Sequence, residues 1–154
     1  MGNLQRKIRA IVIDDVDFCR DLLADFLESR GYQVLTYPDV TSCPLFSANK
    51  LSCPKDAPCA DVLLLDNIMP HMTGLDFLEL QDQGDCFLHI EDKAIFSANW
   101  TPADLARAKS LGCKSFHKPY DLDKLSAWLD EREKRIAPDR VLLNMDEVMR
   151  GEKA

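Results

Sequence analysis

Basic residues are in deficit. Nineteen lysines and arginines stand against 26 aspartates and glutamates, giving a formal net charge of −7 and a pI near 4.9. That sign is wrong for a protein that grips phosphate backbones over a broad face, so direct nucleic-acid binding is excluded as an expectation. Long apolar runs are also missing. No stretch approaches the roughly 18 residues of a membrane helix, and the N-terminus MGNLQRKIRAIVIDD runs into carboxylates where a signal peptide would have its cleavage region. A cytosolic protein without membrane association is expected. The six cysteines, at 19, 43, 53, 59, 86 and 113, lack CxxC or Cys/His spacing, and His71, His89 and His117 lack ligand-like spacing. Neither a zinc site nor a disulfide framework follows, and Cys43-Pro44, Cys53-Pro54 and Cys59 have no further haem or redox ligands beside them. Low-complexity bias is absent as well. With 154 residues, 46% hydrophobic and 29% charged, the chain has the size and balance of one globular domain.

What is present alternates. Ile8 to Ile13 is a short, β-branched apolar run of the kind covered on both faces in a parallel sheet, and it ends on Asp14 and Asp15. From Asp17, the expected N-cap, Phe18, Cys19, Leu22, Leu23, Phe26 and Leu27 recur at helical spacing until Gly31. Residues 33 to 37 read as a second strand, and Asp61 to Leu65 as a central buried strand ending on Asp66, before a turn with Pro70 and Gly74. A helix is expected around Leu75 to Leu80 and a strand from Ala94 to Ser97, with 82 to 93 unassigned. Thr101 and Pro102 open a helix through Leu111 that Gly112 closes. Phe116 to Lys118 is a brief strand before Pro119, and Leu122, Leu125, Trp128, Leu129 and Ile136 line one face of a last helix.

Five strand and helix units in alternation imply an α/β fold: a five-stranded parallel sheet with helices on both faces, as a single domain. Two stretches break the pattern. Residues 38 to 60 hold four prolines and three cysteines, so the second helix is expected to be short, broken or replaced by a loop. The tail 137–154, with Val141, Leu142, Met145, Val148 and Met149 at helical spacing, is expected to form a short helix docked on the domain.

Ligands of open parallel sheets collect beyond the carboxyl ends of the strands, where Asp14, Asp15, Asp66, Ser97 and Lys118 all fall. Converging carboxylates demand a cation, and an oxygen-only donor set suits Mg²⁺. A lysine and a hydroxyl beside them complete a phosphoryl-binding set.

These residues resemble the receiver domains of two-component response regulators, the chemotaxis-type flavodoxin-like fold. The acidic pair closes the first strand. DNIMPHMTG carries Asp66, Met69, Pro70, Met72 and Gly74 in the D-x-x-M-P-x-M-x-G pattern, Ser97-Ala98 ends the fourth strand, and Lys118-Pro119 ends the fifth. The similarity runs over about residues 7 to 136, so a receiver domain at 1–136 and a tail at 137–154 are expected.

The resemblance implies that Asp66 is the phosphoacceptor, charged by a sensor histidine kinase, a histidine phosphotransfer protein or a small acyl phosphate. It implies Mg²⁺ on Asp14, Asp15, Asp66 and the backbone carbonyl of Ile68, with Lys118 and Ser97 contacting the phosphoryl group. Ile68 and Asn99 would govern the lifetime of the phosphorylated form. A downstream target would read the face of the fourth helix, fifth strand and fifth helix, and a homodimer through the last helices is left open. Only 18 residues follow the last domain helix, so a stand-alone signalling receiver that is not an enzyme is expected.

One position departs from the family. An aromatic three residues before the lysine is usual, yet Ser115 stands there and Phe116 follows. Either Phe116 points into the core or the preceding loop is one residue short. Two rivals remain: a pseudo-receiver acting as a constitutive interaction module, and a haloacid-dehalogenase-type phosphohydrolase suggested by Asp15-x-Asp17.

Overall fold

The computed structural model describes residues 7–40, 46–47, 50–51, 58–84, 86 and 88–142. Its elements in chain order are β1 (Arg9–Ile13), α1 (Asp17–Ser29), β2 (Gln33–Tyr37), β3 (Phe46–Ser47), β4 (Lys50–Leu51), β5 (Val62–Asp66), α2 (Gly74–Gln83), β6 (Lys93–Ser97), α3 (Pro102–Leu111), β7 (Lys114–His117) and α4 (Leu122–Glu133). A 3₁₀ turn, Ile90–Asp92, leads into β6. Five strands form one parallel sheet in the order β2-β1-β5-β6-β7, and β3 and β4 pair antiparallel apart from it.

The order reverses between β1 and β5, which opens a crevice at the carboxyl ends of those two strands. The period-two alternation of a strand divides the core in two. On one face Ile11, Ile13, Leu63, Leu65 and Ile95 meet Leu75, Phe77, Leu78 and Ala108 from α2 and α3. On the other, Ala10, Val12, Val62, Leu64, Ala94, Phe96 and Phe116 meet Leu23, Leu27, Leu125 and Leu129 from α1 and α4. Helices cover both faces because both faces of β1, β5 and β6 are apolar.

Several boundaries differ from those read off the sequence. The sheet has its five strands, but four α-helices serve it among the described residues. The pair β3-β4 stands where a second helix would run, and prolines and cysteines crowd that stretch. The N-cap of α1 is Val16, which has no side-chain cap bond; Asp17 is in the first helical turn and pairs with Arg20 at 2.5 Å. Phe18 (76% exposed) and Leu22 turn outward, leaving Leu23 and Leu27 as the buried stripe. β1 starts at Arg9, β5 spans Val62–Asp66, and β6 begins at Lys93, which with the 3₁₀ turn fills part of the unassigned stretch. β7 spans Lys114–His117, ending just before Lys118, and α4 ends at Glu133 ahead of Ile136. The capping of α3 is as expected: Thr101 Oγ1 accepts from Asp104 N, Pro102 opens the helix, and Gly112 at φ 94° closes it.

Beyond α4 the chain folds under the amino end of the sheet. Arg140 grips Asp61 through two bonds of 2.7 and 2.6 Å and donates to the carbonyl of Lys7. The backbone of Arg9 donates to the same carboxylate at 2.9 Å. Residues 141 and 142 are not helical, and the remainder of the expected tail helix lies outside the described residues.

Candidate functional site

Each site residue stands just beyond or at the last position of a strand. β1 delivers Asp14 and Asp15, β5 ends on Asp66, β6 ends on Ser97, and β7 leads into Lys118. One carboxylate oxygen from each of Asp14, Asp15 and Asp66 lies within 4.8 Å of the others; Asp14 and Asp66 are buried and Asp15 is exposed. Across such a gap the two buried carboxylates repel by roughly 3 kcal/mol at an effective dielectric constant of about 20.

Lys118 answers part of that charge. Its Nζ lies 2.9 Å from Asp66 Oδ1 and 3.1 Å from Asp14 Oδ2, bridging the pair. Burial pushes the Asp66 carboxyl above its usual range, and the charges of Asp14 and Asp15 push the same way against the pull of Lys118. Burial alone would lower Lys118, but its bond to Asp66 and the charges of Asp14 and Asp66 outweigh that and raise it. Lysine and carboxylates thus form one electrostatic unit with a net negative balance.

Asp14 is the most tightly held member. Its Oδ1 accepts from the backbone of Val16 at 2.9 Å, and its Oδ2 accepts from Lys118 and from the hydroxyl of Tyr120 at 3.1 Å. Arg20 donates to its carbonyl at 2.7 Å. Tyr120 and Arg20 were not singled out by sequence reasoning. The hydroxyl of Tyr120, two positions after the lysine, is the signal that could have found the first.

The turn after β5 is built around the acceptor. Asn67 donates its backbone N–H to Phe96, and its Oδ1 and carbonyl accept from Leu75 and Gly74. A Cβ on Gly74 would lie 2.7 Å from the backbone oxygen of Asp66, so only glycine allows α2 to start there. Thr73 and Asp76 form a reciprocal capping box at the head of that helix. Met69 and Met72 pack against the core, while Ile68 is 62% exposed two residues beyond Asp66.

Ser97 is fully buried. Its Oγ accepts from the backbone of Asn99 at 3.2 Å, and its carbonyl accepts from the backbone of Lys118 at 2.9 Å, stitching the two loops together. Phe116 is buried, stacked on Phe96 at 5.0 Å and edge-on to Trp128, so the first of the two expectations for it holds. By alternation Ser115 faces the α3 side. The aromatic on that side comes from the loop: Trp100 packs against the α2 and α3 core and donates Nε1 to the carbonyl of Phe116 at 2.7 Å. Asp17, needed by the phosphohydrolase reading, is exposed and outside the carboxylate cluster.

No protein-family model matches the chain, and no curated protein sequence matches it. Solved structures do. Chemotaxis protein CheY4 of Vibrio cholerae aligns at TM-score 0.63 and 21% identity over 81% of this chain and 98% of its own. The fold is that of response regulator receiver domains. The receiver domain of Francisella response regulator 1452 aligns at TM-score 0.65 and 21% identity, covering 84% and 98%. The beryllofluoride-activated NtrC4 receiver domain dimer aligns at 0.62 and 18%, covering 82% and 97%. This receiver fold brings all of Asp14, Asp15, Asp66, Ser97 and Lys118 to the same sheet edge, as the sequence implied.

The donor set suits a hard cation. Three carboxylates supply oxygen alone, with no imidazole or thiolate among the ligating groups. Among the described residues no helix is long and apolar enough to cross a membrane.

Proposed function

We propose that this chain is a stand-alone response regulator receiver of the cytoplasm that takes a phosphoryl group on Asp66. Residues 1–136 would be the receiver and 137–154 its tail. The observation that carries the reading is Lys118 bridging Asp66 and Asp14 inside an all-carboxylate cluster on a receiver fold. In the transfer, an Asp66 oxygen forms a bond to phosphorus as the bond to the donor's histidine nitrogen, or to an acyl oxygen, breaks.

Asp14, Asp15 and Asp66 with the carbonyl of Ile68 would hold Mg²⁺, which when bound supplies charge neutralisation for the transferring oxygens. Lys118 contributes a second positive charge from the opposite side. The Ser97 hydroxyl uses its oxygen to accept from Asn99, leaving its proton to donate to a phosphoryl oxygen. The loop carrying Asn99, Trp100 and Thr101 then moves with Ser97. Because Ser115 replaces the usual aromatic, the change is transmitted through the Trp100 contact to β7. Ile68 and Asn99 flank the acceptor and govern access of the hydrolytic water.

The donor would be a sensor histidine kinase or a histidine phosphotransfer protein. The downstream target would dock on α3, β7 and α4, and a groove of about 830 Å³ along β7 and α4 runs past Lys114, His117, Lys124, Trp128 and Arg132. A homodimer would use the same helices. The chain assists its own phosphorylation and dephosphorylation without being an enzyme toward an external substrate.

Intact-mass measurement after incubation with Mg²⁺ and acetyl phosphate, and then with a purified histidine kinase, tests the reading. One phosphate adduct that disappears in Asp66→Asn is expected. A folded protein that takes no adduct from either donor would instead be a pseudo-receiver.

A further inference from the structure

At the opposite, amino-terminal edge of the sheet lies a second chemical feature. A cavity of about 210 Å³ sits between the end of α2, the 3₁₀ turn and the start of β6, lined in part by Gln81, Cys86, His89 and Lys93. Lys93 is 2% exposed. An ammonium withdrawn from water needs a counter-charge, yet among the described residues no carboxylate pairs with this one. The partner it has is sulfur: Lys93 Nζ donates to Cys86 Sγ at 3.5 Å. Gln81 is 8% exposed and lines this cavity, and among the described residues its buried Oε1 has no hydrogen-bond partner.

Cys86 Sγ stands between two partners, accepting from Lys93 Nζ at 3.5 Å and facing the carbonyl of Leu88 at 3.9 Å, and a neighbouring ammonium is the kind of group that draws a thiol toward its reactive, ionised form. Cys113 also feels the charge of Lys93, but burial pushes its thiol up to about 11. Asp82 and His89 complete the titratable groups that face the cavity.

We propose that Cys86 and Lys93 form an oxidant-responsive pair that closes a covalent sulfur–nitrogen bond when a hydroperoxide enters this cavity. The orphaned Gln81 oxygen accepts a hydrogen bond from the peroxide. The Cys86 thiolate attacks one peroxide oxygen, the O–O bond breaks, and the Lys93 ammonium gives a proton to the departing hydroxide, forming water. The sulfur is now a sulfenic acid and the amine is neutral. Its lone pair attacks the sulfur, the S–O bond breaks, and the hydroxyl leaves with an amine proton as a second water. Ammonium, thiolate and one peroxide thus become a sulfenamide and two waters. Sulfur loses two electrons, and the peroxide gains them.

This site is independent of the phosphoacceptor reading, because Lys93 and Ser97 stand at opposite ends of β6, about 13 Å apart by strand rise. The bond would tie the segment after α2 to the base of the strand that ends on Ser97.

The test uses the full chain, reduced and then treated with a few equivalents of hydrogen peroxide, without Mg²⁺ or a phosphodonor, and digested with trypsin without reductant. Cleavage after Lys93 is expected to be lost. A 56–107 fragment should appear about 2 Da lighter than its sequence mass and return to normal with dithiothreitol. A Cys59→Ser background removes a disulfide of the same mass within that fragment. In this background Cys86→Ser should restore cleavage, and Lys93→Arg should let Cys86 proceed to the sulfinic acid, about 32 Da heavier. Normal cleavage after Lys93 in the peroxide-treated wild type would overturn the proposal, whether Cys86 is then unmodified, sulfinylated or in a disulfide.

Discussion

The indole of Trp100 is hydrogen-bonded to the backbone carbonyl of Phe116 at 2.7 Å, joining the loop after β6 to the edge strand β7. The bond begins three residues from Ser97 and ends two residues from Lys118. It therefore ties the loop that follows Ser97 to the strand that leads into Lys118.

Replacing Trp100 by phenylalanine keeps an aromatic but removes the donor, and should cost about 1 kcal/mol in urea unfolding. In a Trp128→Phe background the remaining indole reports on this contact alone. Its emission should shift when Mg²⁺ and beryllofluoride are added together. No shift, with binding verified by calorimetry, would mean that the loop does not follow the acceptor.

Asp66→Asn should stabilise the protein in the absence of divalent ions. The wild-type carboxyl titrates above its ordinary 3.8 in the folded state. The native protein therefore holds more protons than the unfolded chain between the two values, and stability declines as pH rises through that window. The asparagine variant lacks this decline, so its advantage in melting temperature should be small near pH 4 and grow as pH rises toward 7. Mg²⁺ should then raise the melting temperature of the wild type far more than that of the variant.

Gly74→Ala places a methyl carbon 2.7 Å from the Asp66 carbonyl oxygen, well inside van der Waals contact. Overpacking of this kind costs about 1–3 kcal/mol. Because the obstructing atom belongs to the acceptor's own backbone, the rate of phosphorylation should fall with the stability. Equal stability in chemical denaturation would refute the close approach.

Tyr120→Phe removes the hydroxyl that orients Asp14. Groups that orient metal-ligating carboxylates contribute about tenfold or more to affinity, so Mg²⁺ titration by calorimetry should show weakening on that order. Lys118 is untouched in this variant, and circular dichroism should be unchanged.

How much of this was visible beforehand depends on whether the signal was local. The apolar runs of β1, β5 and β6 announced strands buried on both faces, and their terminal carboxylates announced the functional edge. Thr101, Pro102 and Gly112 marked α3 at both ends because capping chemistry is confined to a few consecutive residues. Helix α1 was harder. Phe18 and Leu22 share the helical spacing of Leu23 and Leu27, and periodicity alone does not say which part of a wide stripe meets the sheet. Asp17 resembled a cap because aspartate serves equally in the first turn, where it favours the helix dipole. Partners distant in sequence carried no signal at all: Trp100 with Phe116 and Tyr120 with Asp14 exist only once the sheet has assembled.

The grip of Arg140 on Asp61 spans 79 positions. During synthesis on a ribosome, all five sheet strands and α4 emerge before this arginine does. Until then the Asp61 carboxylate, nearly enclosed beside β1, has a backbone amide for company and no guanidinium. The nascent sheet is thus topologically complete before this contact can form, and a further increment of stability arrives with a residue outside the described strands and helices.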